Sequence, residues 1–182
     1  MSFSIDPTAY DPEKGGGSSR PDVRPGKKLL WCAGIKYGKS MAGNTKIDAC
    51  FVVADDPKGG LDNGALVWDT FTLTQRAAWK LQQAAQAMKC KQAFNAEDKD
   101  ETWDVFRECP VWADIRVVPK HNGDGTRGEV QRYTRWDGNP SDAMVALVEA
   151  ADKWYREWTG RQSGTARRSV SAAPPQDDDI PF

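Results

Sequence analysis

The chain has 182 residues, 39% of them hydrophobic, and a formal net charge of -1, which suits one modest domain with polar flanks. No apolar stretch approaches the roughly 18 residues a membrane helix needs, and the first residues lack a basic-then-apolar signal pattern, so a soluble cytoplasmic protein is expected. Cys32, Cys50, Cys90 and Cys109 form no close pair and His121 is the lone histidine, so neither a zinc site, a disulfide scaffold nor any other cofactor is expected.

Residues 1–26, with "EKGGGSSRPDVRPG", are too rich in Gly, Ser and Pro to offset their ordering entropy and read as a flexible segment. Residues 28–37 ("KLLWCAGIKY") predict a first strand, and Gly43-Asn44 a turn after it. Over 45–55, Ile47, Ala49, Phe51 and Val53 alternate with Lys46, Asp48 and Cys50, the pattern of a half-buried strand. A polar loop with Pro57, Gly59 and Gly60 leads to a third strand over 65–73, where Trp68 and Phe71 fall on opposite faces.

Thr74 is placed to cap a helix in which Ala77, Leu81, Ala84, Ala85 and Met88 share one face. A short acidic helix is predicted over 98–107, then strands over 111–118 and 129–136 around the hairpin loop "PKHNGDGTRG". Pro140 and Ser141 open a last helix, where Met144, Leu147, Val148, Ala151, Tyr155 and Trp158 make one stripe. Alternation alone fits several small barrels. The long helix after the third strand selects the five-stranded Greek-key barrel of the OB-fold, mainly β, with a helical insert between strands 3 and 4 and a C-terminal helix. The expected organisation is a flexible segment (1–26), a barrel core (27–137), a helix packed on it (138–159), and a linker with a terminal tip (160–182).

"AGIKYGKS", Ala33 to Ser40, has the spelling of a loose phosphate-binding loop, with Ala33 at its first glycine position. Such a loop must open a helix whose N–H groups cradle phosphate. Here a turn and a β-branched strand follow, so Lys36, Lys39 and Lys46 read as positive charges at a hairpin tip. His121 sits in a Gly-rich loop, and no carboxylates pair at metal-ligand spacing. No enzyme is expected.

The net charge conceals an uneven distribution. Residues 27–137 hold seventeen Lys/Arg against fifteen Asp/Glu, and six of those acids crowd into 97–108. A local positive field steers an anionic ligand whatever the total. Single-strand binders join cationic grooves to aromatic platforms, because every base has a π-face. The candidate contacts are Trp31, Lys36, Tyr37, Lys39, Lys46, Trp68, Trp112, Arg116, Arg132, Tyr133, Arg135 and Trp136. Core packing is the expectation for Trp79, Trp154 and Trp158 on their helices, and Phe51 shares a face with Ile47 and Val53.

The last six residues, "DDDIPF" (Asp177, Asp178, Asp179, Ile180, Pro181 and Phe182), set three carboxylates before an apolar end. Charge alone accounts for solubility but not for Ile-Pro-Phe. This hexapeptide closely resembles the acidic tip of bacterial-type single-stranded DNA-binding proteins. The body is similar to phage-encoded single-strand binders, with a "Trp-Asp-x-Phe-x-Leu"-like third strand and a helix with an internal Trp, here Trp68, Asp69, Phe71, Leu73 and Trp79. The resemblance implies single-stranded DNA coated with little sequence preference, in a bacterial host cytoplasm. It also implies recruitment of replication, recombination and repair proteins by the tip, with Phe182 in an apolar pocket and its carboxylate on a partner's Arg. The 17-residue linker, 160–176, spans roughly 21–25 Å as a flexible coil, enough for the tip to reach the basic groove. An OB-like interaction adaptor that holds no DNA is the alternative expectation.

Overall fold

The computed structural model describes residues 23–54, 62–120 and 126–168. Residues 1–22, the loops over 55–61 and 121–125 (with His121), and residues 169–182 with the acidic tip lie outside the described residues. Five strands form one antiparallel sheet: β1 (Gly26–Lys39), β2 (Thr45–Val53), β3 (Leu66–Thr72), β4 (Val111–Pro119) and β5 (Thr126–Arg135), in the spatial order β3-β2-β1-β4-β5. Helices α1 (Ala78–Ala87) and α2 (Lys99–Arg107) come between β3 and β4 in the chain, and α3 (Asp142–Arg168) follows β5.

β1 serves two partners. Gly26 to Leu30 pair with β4, and Leu30 to Lys39 pair with β2. A bulge between Cys32 and Gly34 resets the alternation. Leu30 and Cys32 before it, and Ile35 and Tyr37 beyond it, therefore all pack into the main core. Two bends of this kind let a flat ladder curl. The second lies in the β4–β5 pairing between Asp114 and Ile115.

The curl brings the edge strands β3 and β5 together through side chains. Tyr133 donates its hydroxyl to Asp69 Oδ2 at 2.7 Å, and the Phe71 and Tyr133 rings lie 6.1 Å apart. Lys80 of α1 reaches the other oxygen of Asp69 at 2.5 Å. Asp69 is buried, so this ion pair and hydrogen bond join β3, α1 and β5 in one polar knot. The result is a mainly-β, barrel-like wrap.

Its interior is filled by Leu30, Ile47, Phe51, Val67, Phe71, Phe106 and Val111, beneath α1 and α2. The outer face of β1 and β2 is covered by α3: Met144 and Leu147 pack on Leu29 and Ala54, and Ala151 packs on Ala33 and Val52. α2 starts where a capping aspartate stands, since Asp98 accepts the N–H groups of Asp100 and Glu101 at 2.9 and 3.1 Å. α1 ends in a Schellman turn, with Cys90 N–H on Ala85 O, Lys89 N–H on Gln86 O, and Lys89 in the left-handed region.

Several boundaries differ from the sequence reading. Thr74 accepts the Ala77 N–H at 3.3 Å inside a preceding turn, and α1 begins only at Ala78. β5 starts at Thr126 rather than 129, and α3 runs through 160–168, a stretch expected to be linker. Val23 packs against the main core and Arg24 donates to Asp62 at 2.7 Å, so the fold reaches back past the expected boundary at 27. Ala33 to Ser40 forms the end of β1 and the start of a hairpin turn, where Gly43 adopts a φ of 79°. Among the described residues no helix is long and apolar enough to cross a membrane.

Candidate nucleic-acid interface

One end of the outer sheet face gathers rings and cations. Residues opposite one another in an antiparallel ladder share a face, so the rows there read Gly34–Cys50–Trp68, then Lys36–Asp48–Thr70, then Gly38–Lys46–Thr72. α3 crosses the first row with Tyr155. A Cβ at Gly34 would stand 2.2 Å from that ring, so only a glycine admits it. Tyr155 in turn seats Trp68 and Trp158, whose rings lie 5.4 Å apart. Trp154, one helical turn before Trp158, stacks on it at 6.0 Å with 13° between the planes.

Cations rim this aromatic cluster. Lys36 is exposed and its Nζ lies 5.9 Å from the centre of the Trp158 ring, a cation–π arrangement. Lys46 pairs with Asp48 at 2.7 Å, and Thr70 donates its hydroxyl to the same carboxylate at 2.6 Å. Lys39 donates to Thr45 Oγ1 at 2.9 Å beside the hairpin turn. Trp68 is 37% exposed, while Trp154 and Trp158 are half-buried. Trp68 thus keeps the most exposed surface of the three.

Lys36, Lys46 and Trp68 are thus brought together, whereas Lys39, opposite Thr45, alternates with Ile35 and Tyr37 and lies on the other face of β1; six other candidates form a second group toward β4 and β5. Trp31, Trp112 and Trp136 are half-buried against Leu29, Met144 and Leu147, under the first turns of α3. Trp31 donates its indole N–H to Arg107 O at 3.0 Å, and Lys27 stands over Trp112. The cations of this group face acids: Arg116 with Glu129 at 3.4 Å, Arg135 with Asp137 at 2.6 Å, and Arg132 opposite Asp114 in register. Acid partners weaken the local field in this group, as Asp48 does beside Lys46 and Lys36 in the first.

One candidate, Tyr133, turns inward, which corrects the expectation that it is exposed, and Tyr37 is half-buried. Tyr133 is 3% exposed, and burial, then the neighbouring Asp69 charge, push its phenol pKa well up. It stays a neutral donor and offers no face to a base. Tyr37 packs against the core while its hydroxyl donates to Ala96 O at 2.8 Å. In the opposite sense, Trp79 was expected in the core and is 58% exposed.

Trp154 and Trp158 belong to the ring cluster although their place on the last helix argued for the core. Their spacing of four, on a helix that crosses a strand bearing Trp68, is the signal that finds them. Cys32, Cys50 and Cys109 are buried, Cys90 is half-buried, and none of the four is joined in a disulfide. Among the described residues no cluster of three or more His, Cys, Asp or Glu side chains is placed to hold a metal. Comparison with protein-family models and with curated proteins returns no match for this chain.

Proposed function

We propose that this chain is a non-enzymatic single-stranded DNA-binding protein built on an OB-fold. The strand order supports that fold: β1 is shared between β2 and β4, β3 meets β5, and helices stand between β3 and β4. The observation that carries the function is the Trp68–Trp154–Trp158 cluster, lying beside Lys36 at an open end of the sheet. Flat faces offer stacking to any base and lysines meet the backbone, so binding is sequence-tolerant and falls with salt. Residues 177–182 supply the second half of the proposal: an acidic and apolar segment that recruits replication, recombination or repair proteins.

The test is intrinsic tryptophan fluorescence during titration with oligo-dT. Stacking on the cluster quenches the emission saturably, with a stoichiometry that scales with strand length. Unchanged emission at low salt, with capture of partner proteins intact, instead identifies an interaction adaptor that holds no DNA.

A further inference from the structure

Beside the ring cluster, on the other side of Lys36, a cleft of about 700 Å³ opens between β1, α2 and α3. That volume falls within the roughly 300–1,000 Å³ of small-molecule sites. Tyr37, Trp103 and Tyr155 give it aromatic walls, and Lys36, Lys99 and Arg156 give it cations. The cations differ in availability. Arg156 is forked onto Asp152 at 2.9 and 2.7 Å, whereas the Lys99 ammonium rests over the Tyr37 ring at 5.6 Å. Lys36 and Lys99 are therefore the two positioned to meet a phosphate.

The polar lining narrows the occupant. Asp100, also on the cleft wall, offers acceptors for the amino or imide N–H groups of a base. A flat ring bearing donors and acceptors, joined to a phosphate, satisfies this set. A purely apolar ligand does not.

We infer that the cleft is a subsite for a single nucleotide of a bound strand, its base drawn off the stack among Tyr37, Trp103 and Tyr155 and its phosphate on Lys36 and Lys99. The inference rests on the proposed single-strand binding and goes beyond it, because a base seated in the cleft meets Asp100 at its edge whereas a stacked one offers only its face. Lys36 borders both surfaces, so a strand leaving Trp158 passes it to enter the cleft. A free nucleotide carries the same chemistry, and the test separates the two sources.

The experiment is photocrosslinking of the full chain to oligo-dT carrying one 5-iodouracil, with the attached residue mapped by mass spectrometry, alongside a titration with free dTMP. Crosslinks at Tyr37, Trp103 or Tyr155 are expected, and Lys99→Glu, an exposed change, is expected to abolish them while leaving those at Trp68 in place. Crosslinks confined to Trp68, Trp154 or Trp158 overturn the subsite and leave strand binding standing. Saturable dTMP binding with that same confined pattern assigns the cleft to free nucleotide and also overturns it. Absence of any complex with the oligonucleotide removes both readings.

Discussion

Trp158 touches Trp68, Trp154 and Tyr155 and lies under the Lys36 ammonium, so it is the side chain whose loss should cost the interface most. Trp158→Ala is expected to weaken oligo-dT binding by about 1–3 kcal/mol, the worth of one base stack. Unchanged affinity in a variant with an unaltered unfolding midpoint would remove this ring from the site. Asp62 makes a different prediction. Burial acts to raise its pKa, but the hydrogen bonds and charges of Lys28 and Arg24 outweigh that and hold it below the ordinary carboxylate value. Because the folded pKa lies below the unfolded value of about 3.9, the stabilisation is complete above that pH and is lost as pH falls through the folded pKa. The difference in Tm between wild type and Asp62→Asn should thus be level from neutrality to about pH 5 and shrink below about pH 4. A difference that widens on acidification contradicts this pairing.

At the scale of elements, the contact of α3 with the sheet depends on Gly34. Gly34→Ala places a methyl group 2.2 Å from the Tyr155 ring, and overpacking of this kind costs typically about 1–3 kcal/mol. The expected outcome is a lower urea midpoint together with altered near-ultraviolet dichroism from the tryptophan cluster. An unchanged spectrum would mean that α3 does not need this seat. The same region shows what the sequence could and could not disclose. β2 was legible because Ile47, Ala49, Phe51 and Val53 alternate without interruption, and all four are buried. Tyr133 was not, because Asp114 pairs with Arg132 while Ile115 pairs with Val130, leaving one extra residue on β5. That bulge turns both Val130 and Tyr133 inward, where simple period-two counting sends them to opposite faces. Trp79 was legible in principle. It lies two positions from Leu81 and so across the helix from the buried stripe, and residue type misled where position would not.

For the whole molecule, rings and cations gather in two groups. The end of the outer sheet face near Lys36 joins that lysine to Trp68, Trp154 and Trp158, whereas the β4–β5 side pairs Arg116 and Arg135 with acids. The ring cluster was hard to read from sequence because it forms only where α3 meets β3, about ninety positions apart. Recruitment is assigned to a separate stretch, so removal of residues 177–182 should leave oligo-dT affinity unchanged and abolish capture of host replication and repair proteins. Retained capture by the truncated chain would place the recruiting surface elsewhere. The most direct test of the central claim is fluorescence anisotropy with labelled oligo-dT and with a duplex of equal length, each at low and raised salt. The expected result is saturable binding to the single strand, weaker binding to the duplex, and a log affinity that falls by about 0.7 per neutralised phosphate per log unit of salt. No binding to the single strand in dilute buffer, or equal binding to the duplex, would contradict it.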